Sequence, residues 1–267
     1  MDTILSLDGT SIAYRRQGEG PPAVLVGGAL STSATEEPLA RLLAPHFTVL
    51  TYDRRGRGAS GDGVGRYSVR RETEDLAAVL HAAGGPASVF GMSSGGALAL
   101  EARAAGVRMD RLSVFEPPYT PGEQGLRYKA RCTAGLHARL GAGDRGGAVE
   151  LFLTRTGVPP ETVARMRRAP LWRGLESLAH TLAYDDALLG DGAVPAARFG
   201  GTTGRTLVVC GGLSPAVTRS ATLALAAAIP RARHRTLTGQ TRELAPHVIA
   251  PVLTEFFARE AWAGRAA

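Results

Sequence analysis

The segment with the clearest chemical potential is Gly91–Gly95, which reads GMSSG. A serine between glycines can hold its hydroxyl in a tight turn, where it acts as a nucleophile toward carbonyl carbon. An apolar run, Ala87–Phe90, precedes the segment, and an alanine-rich run, Ala97–Ala105, follows it. This order of strand, turn and helix predicts that Ser93 lies at the top of a sheet. The alternative is a plain turn, because 34 glycines in 267 residues make chance matches common.

Other short apolar runs predict the sheet that positions Ser93. They are Ala23–Val26, Phe47–Leu50, Leu112–Phe115, Thr206–Val209 and the less apolar His234–Leu237, and they follow a hairpin around Asp8-Gly9. Helical patterns alternate with these runs at Leu76–Leu80, Ala221–Ile229 and Val248–Phe257. Short buried strands that alternate with helices predict an α/β fold with a mostly parallel central sheet flanked by helices.

One stretch interrupts this alternation. Between Pro117 and about Thr203 no buried strand is evident, and four helical patterns take its place: Leu126–Leu140, Ala148–Thr156, Glu161–Arg167 and Leu171–Leu189. The sequence therefore predicts a core of residues 1–116 and 204–267 and an inserted helical cap of residues 117–203.

With two further motifs, the chain resembles the α/β-hydrolase family over nearly its whole length. Gly27-Gly28-Ala29 ends an early strand, and the charged loop Asp53–Ser60 follows the next one. The resemblance implies an oxyanion hole formed by the N–H groups of Ala29 and Ser94, with Gly28 beside the substrate. The alternative for the glycine pair is a tight strand exit. The resemblance implies a mainly structural role for Asp53–Ser60.

The same resemblance implies positions for an acid and a base, and both carry unusual residues. Ser214 stands where an aspartate is usual, so the resemblance implies that Glu116 is the acid. The alternative is that Glu116 forms a structural ion pair with an arginine. Arg242 stands where a histidine is expected, and an arginine stays protonated at neutral pH. The expected catalytic residues are thus Ser93, Glu116 and Arg242, a degenerate triad. Arg242 can bind a carboxylate, stabilise an enolate-like charge, pair with Glu116 or point into solvent.

Two histidines are candidates for a displaced base. His247 follows Pro246 in the predicted terminal helix and is expected to face solvent, whereas His180 lies on the predicted cap. With His180, the cap residues Trp172 and Tyr184 are predicted to line a pocket for a largely apolar substrate. Ordinary helix packing explains the same apolar stripe.

Composition excludes several other functions. The net charge is +7, but the arginines are dispersed and no basic run is interleaved with aromatic residues, so no nucleic-acid partner is expected. Cys132 and Cys210 form no C-x-x-C pair, and no cluster has metal-ligand spacing, so neither a metal nor another cofactor is expected. No leader and no apolar run long enough for a membrane is evident, which predicts a cytoplasmic protein. The expected partner is a small-molecule substrate, and a homodimer stays open.

These features favour an enzyme with an incomplete triad. It is expected to act on a small, largely apolar carbonyl compound by non-hydrolytic chemistry (cyclisation, elimination or isomerisation), using Ser93 and the oxyanion-hole amides. One alternative is a serine esterase, lactonase or thioesterase with a displaced base. The other is a catalytically silent protein that binds a ligand in the same pocket.

Overall fold

The computed structural model describes residues 1–258, and eight strands of this part form one sheet. The strands are β1 (Asp2–Leu5), β2 (Ser11–Gln17), β3 (Pro22–Val26), β4 (Thr48–Tyr52), β5 (Ser88–Met92), β6 (Arg111–Phe115), β7 (Arg205–Gly211) and β8 (Ala232–Leu237). Their spatial order is β1-β2-β4-β3-β5-β6-β7-β8. The pairs β1–β2 and β2–β4 are antiparallel, and all other pairs are parallel. The predicted mostly parallel α/β sheet is confirmed.

Helices cover both faces of the sheet. α1 (Ser33–Leu43) and α11 (Pro246–Phe257) pack on one face, while α2 (Val69–Ala82), α3 (Ser94–Ala104) and α10 (Ala216–Ala228) pack on the other. Successive strand residues point to opposite faces, so along β3 Leu25 joins the α1–α11 layer and Val24 joins the α2–α3 layer. Both faces are therefore apolar, which explains why the strands read as continuous hydrophobic runs.

The helix boundaries follow local signals at several ends. α11 begins at Pro246, where a missing N–H costs nothing because the first turn has no intrahelical acceptor for it. α2 is preceded by Ser68, whose side chain accepts a hydrogen bond from the Arg71 amide. By contrast, α1 carries Pro38 in its interior, and no sequence pattern predicted it. None of the helices in residues 1–258 combines the length and apolar character that a bilayer span requires.

Between β6 and β7 the chain is helical. The helices are α4 (Gly122–Gly141), α5 (Arg145–Arg155), α6 (Pro160–Arg168), α7 (Leu171–Leu178), α8 (Leu182–Leu189) and α9 (Ala196–Phe199). The pattern predicted as one segment, Leu171–Leu189, is divided by a 3₁₀ turn at Ala179–Thr181, and the short α9 was not predicted. This insertion, called the cap below, has small apolar clusters of its own, one of them around Val149 and Val163.

Candidate active site

Ser93 lies in a strained turn between β5 and α3. Its backbone has φ 52° and ψ −123°, and its amide donates to the Phe115 carbonyl oxygen at 2.8 Å. The flanking glycines leave no room for a side chain: a Cβ on Gly91 would lie 2.5 Å from the Gly96 Cα, and a Cβ on Gly95 would lie 2.3 Å from the Val26 oxygen. Such a backbone costs on the order of 1–3 kcal/mol and persists only where its surroundings hold it.

Two more strained residues lie at the same edge of the sheet. Leu30 has φ 55° and Glu116 has φ 45°. Together with Ser93, they are three of the four non-glycine residues with positive φ in the described chain. The parallel register pairs Met92 with Phe115, which places Ser93 and Glu116 at the ends of neighbouring strands. Strain that clusters at one place is typical of a functional site.

The Gly27–Ala29 loop approaches Ser93 closely. A Cβ on Gly28 would lie 3.3 Å from the Ser93 Cβ and 3.2 Å from the Met92 oxygen, so only glycine fits without displacement. Ser94 is the first residue of α3, and its amide therefore has no partner within the helix. The structure thus brings the loop and the start of α3 to the same side of Ser93.

Two side chains hold the peptide that orients the Ala29 amide. The Gly28 carbonyl oxygen accepts from Ser31 Oγ at 2.7 Å and from Arg57 Nη1 at 2.5 Å. In a trans peptide the carbonyl and the following N–H point in opposite directions. Fixing the Gly28 oxygen therefore fixes the direction of the Ala29 N–H, which is what an oxyanion donor needs.

A buried charge network lies behind this loop. Arg54 Nη1 donates to Asp185 at 2.9 Å, to Ser94 Oγ at 3.2 Å and to the Gly27 oxygen at 3.3 Å, while its Nε donates to Glu72 at 2.6 Å. Arg54 is 1% exposed. The network therefore restrains both the loop and the first residue of α3.

The cap supplies the acid of this network. Asp185, on α8, accepts two hydrogen bonds from Arg57 at 2.9 and 3.0 Å besides the one from Arg54. Burial would raise the pKa of Asp185, but Arg57 and Arg54 outweigh it and hold the pKa below the usual value. Sequence analysis missed this residue, because no local spacing links Asp185 to a loop 128 residues away.

On the other side of Ser93, Glu116 is buried at the end of β6. Its Oε1 accepts from Ser214 Oγ at 2.5 Å and from the Gly211 amide at 2.8 Å, and Cys210 Sγ lies 3.4 Å away. Its Oε2 is buried and has no hydrogen-bond partner among residues 1–258. Ser214, which stands where the resemblance implies an aspartate, thus binds Glu116, and no arginine within residues 1–258 forms an ion pair with this glutamate.

Arg242 turns toward the cap. It is half-buried, and its Nη1 donates to the carbonyl of Thr156, the residue that follows α5. Burial lowers the pKa of Arg242, and the charge of Glu116 opposes that lowering without a direct ion pair between the two side chains. Of the alternatives drawn from sequence, a residue free in solvent and one paired with Glu116 both differ from this arrangement.

All six histidines lie in the described part of the chain, and none is hydrogen-bonded to Ser93 or Glu116. His180 Nε2 lies 3.7 Å from Asp62, and its buried Nδ1 has no partner. His247 is exposed, as expected. The remaining four lie elsewhere: His46, His81 and His137 are exposed, and His234 Nε2 lies 3.1 Å from Thr222 Oγ1.

The two aromatic residues expected in the pocket are occupied elsewhere. Trp172 is 4% exposed, packs in the cap core with Leu153, and donates its Nε1 to Glu176 at 2.9 Å. Tyr184 stacks on Tyr67 with ring centroids 4.2 Å apart, and its hydroxyl donates to Asp62. These contacts show ordinary packing of the apolar stripe, because a helix that must fill the cap interior directs its large side chains there.

Two hollows border the cap. A cavity of about 20 Å³ is bordered by Leu136, Phe152, Leu182 and Asp185, and the same apolar side chains pack against Ala29. A groove of about 620 Å³ runs between α4 and the start of α10. Within residues 1–258, no three His, Cys, Asp or Glu side chains are grouped so that they could hold a metal ion.

Comparison with known proteins decides the family. The model of the alpha/beta hydrolase family matches residues 23–260. The chain belongs to the alpha/beta hydrolase family. The resemblance seen in the serine turn is thereby confirmed, and so is the fold class.

Individual members are similar to this hydrolase-family chain. An alpha/beta hydrolase from Sphaerobacter thermophilus is 54% identical, with a TM-score of 0.87 and coverage of 96% of this chain and 100% of that one. A hydrolase from Pseudomonas aeruginosa is 25% identical, with a TM-score of 0.71 and coverage of 96% and 98%. The uncharacterized hydrolase YraK of Bacillus subtilis is 35% identical over 100 residues, which are 36% of this chain and only 37% of YraK.

Proposed function

We propose that this alpha/beta-hydrolase-family chain activates a small carbonyl substrate by non-hydrolytic chemistry, with Glu116 as the proton acceptor. The observation that carries the proposal is the buried, unpartnered Oε2 of Glu116, one strand from Ser93. A buried carboxylate oxygen without a hydrogen-bond donor carries an uncompensated desolvation cost. Such an oxygen is a suitable acceptor for a substrate proton.

The residues around Ser93 argue against ordinary serine hydrolysis. Attack by Ser93 needs a base, and removing the histidine of a working triad costs on the order of a million-fold in turnover. That loss corresponds to roughly 8 kcal/mol of barrier. Arg242 does not replace the imidazole, because even with burial its pKa starts too high for a base at neutral pH.

The proposed step is an enolisation. Glu116 Oε2 takes a proton from the carbon next to the substrate carbonyl. The electron pair of that C–H bond forms the C=C bond of an enolate, and the π electron pair of the carbonyl moves onto its oxygen. The N–H groups of Ala29 and Ser94 and the hydroxyl of Ser93 donate to the resulting oxyanion. Return of the proton to another carbon completes an isomerisation, departure of a β-substituent completes an elimination, and attack of the enolate on an internal electrophile completes a cyclisation.

The test separates proton abstraction from acyl transfer. We expect the native protein to exchange deuterium into the α-carbon of a ketone such as 4-phenyl-2-butanone, measured by NMR, and Glu116→Gln to lose at least about 100-fold of that rate. We expect little turnover of p-nitrophenyl acetate and little labelling of Ser93 by a fluorophosphonate. Arg242→His should increase both, whereas Arg165→His, at an exposed position on the cap, should not.

Hydrolysis with a displaced base is the second candidate. It is favoured by the hydrolase from Sphaerobacter thermophilus, which is 54% identical to this chain. Rapid ester turnover by the native protein that His180→Ala or His247→Ala abolishes would establish it and exclude our proposal. Absence of exchange, ester turnover and labelling would indicate a silent binding protein.

A further inference from the structure

Arg155 lies where the surface groove meets the buried cavity. It is the last residue of α5 and borders both the groove of about 620 Å³ and the cavity of about 20 Å³. The groove is also bordered by Pro118 and Val217, which follow Glu116 and Ser214 in the chain. Arg155 therefore lies between the groove and the cavity whose apolar side chains pack against Ala29.

Apart from Arg131, the other charged side chains that border the groove and the cavity are already paired. Lys129 Nζ donates to Asp186 at 2.8 Å, and Glu123 binds Arg127. At the inner end, Asp185 is saturated by the two arginines of the core. None of these pairs leaves a charge for a ligand.

Arg155 has no such partner. Its guanidinium lies 5.9 Å from the Phe152 ring centre, and no acid within residues 1–258 forms an ion pair with it. The outer groove residue Arg131 likewise lies against a ring, that of Tyr128 at 6.0 Å. An arginine over an aromatic face keeps its planar edge and its N–H donors available for a planar anion.

A second cation faces the same place. Arg242, from the loop between β8 and α11, donates to the carbonyl of Thr156, the residue next to Arg155, so its guanidinium reaches the end of α5 where Arg155 lies. Burial lowers the pKa of Arg242, Glu116 opposes this, and the positive charge of Arg155 lowers it further. Glu116 thus offsets part of the positive charge here and leaves the remainder for a ligand.

We infer that Arg155, with Arg242, binds a carboxylate of the substrate at the mouth of the pocket. The inference rests on the proposed function, since it names the substrate class of the same site: an oxo acid whose carbonyl reaches Ser93 while its carboxylate stays at Arg155. A carboxylate matches the guanidinium edge with two parallel hydrogen bonds. Leu136 and Leu182 give the cavity an apolar border, but its volume of about 20 Å³ is close to that of one water molecule, so these side chains must move to admit the carbon chain between the two groups.

Binding of 4-oxo-4-phenylbutanoate and of its primary amide tests the inference by calorimetry, because the two compounds have nearly the same shape and differ in charge. The native protein should bind the acid at least about tenfold more tightly than the amide. Arg155→Gln should remove that preference, and Arg155→Lys should retain part of it. Arg165→Gln, an exposed cap variant with the same loss of charge, should leave it unchanged.

Three outcomes would overturn the inference: equal binding of acid and amide, a preference that survives Arg155→Gln, or a series of carboxylates from acetate to dodecanoate that leaves the native Tm unchanged. Because the readout is binding, it is independent of turnover. Loss of deuterium exchange with an intact preference for the acid would contradict the proposed chemistry alone, and the reverse result would contradict the carboxylate site alone.

Discussion

The two sides of Ser93 differ in how their charges are satisfied. On the side of the Gly27–Ala29 loop, Arg54 and Arg57 are neutralised by Glu72 and Asp185, and every one of these side chains is buried. On the side of Glu116, and within the described residues 1–258, one carboxylate oxygen has no partner, Arg242 is bound only to a carbonyl, and Arg155 is bound to no acid. We call these the paired side and the open side.

The difference separates preorganisation from recognition. Buried charges that are paired with one another hold one geometry whether or not a ligand is present, which is what oxyanion stabilisation requires, although Arg54 Nη2 and Arg57 Nε have no hydrogen-bond partner within residues 1–258. Groups without partners carry an unmet desolvation cost that a ligand can relieve. The paired side therefore has the character of a fixed oxyanion hole, and the open side has that of a site completed by its substrate.

The largest effect is expected from breaking the paired side. Asp185→Asn leaves Arg57 without a charged partner, and removing one member of a buried ion pair typically costs about 3–5 kcal/mol. We expect the free energy of unfolding in urea to fall by that amount. The matched control is Glu150→Gln, which breaks the exposed Glu150–Arg167 pair of the same cap and should cost less than about 1 kcal/mol. Equal losses would show that the network is not structural.

Glu36, on α1, lies beside Gly27 and offers a second test of the paired side. It is 8% exposed, its Oε1 would lie 3.2 Å from a Cβ on Gly27, and burial raises its pKa to about 7 from 4.5. The folded state holds the proton of Glu36 more tightly than the unfolded chain does. The contribution of Glu36 to the free energy of unfolding is therefore largest below pH 4.5 and is lost as the pH rises to about 7. The loss is on the order of 3 kcal/mol.

Urea denaturation across this range checks the Glu36 prediction. Glu36→Gln should remove the decline between these pH values, because the amide does not titrate. Glu37→Gln, the neighbouring position on α1 paired with Arg41, should keep it. If the free energy of unfolding of the native protein, measured relative to that of Glu36→Gln, rises from pH 5 to pH 7, the assignment to Glu36 is wrong.

Ser93, between the two sides, offers a smaller effect. Glycine tolerates φ 52° without the steric cost that a Cβ incurs, so Ser93→Gly should be more stable than Ser93→Ala by about 1 kcal/mol in thermal unfolding. At Ser94, which has helical backbone, the order of the glycine and alanine variants should be reversed. The same order at both positions would mean that the turn stores no strain.

The smallest stability effect is expected on the open side. Arg242 is half-exposed and makes one hydrogen bond, to Thr156, so Arg242→Gln should change the free energy of unfolding by less than about 1 kcal/mol. Arg57→Gln on the paired side should cost several times more, because it leaves part of Asp185 unsatisfied. Comparable losses in urea unfolding would erase the contrast between the two sides.

Sequence patterns determined the parts of this protein that depend on neighbouring residues. Apolar runs bounded by glycine predicted the parallel sheet, and GMSSG between a strand and an alanine-rich helix predicted the turn at Ser93, because steric limits on that backbone act within a few residues. The sequence also predicts that Arg242 stands where the resemblance implies a histidine. α1 escaped prediction because tertiary packing, rather than helix propensity, stabilises a helix that contains Pro38.

Only the tertiary structure decided which polar groups meet. Asp185 reaches Arg54 across 131 residues, and Glu116 reaches Ser214 across 98, distances over which no periodicity or spacing carries information. The same holds for Trp172, whose place in the cap interior depends on the packing of several helices. Charged groups must pair where the folded chain excludes water, and only the tertiary structure decides where that is. The sequence therefore specified the charged residues, and the fold determined which of them lie on the paired side and which on the open side of Ser93.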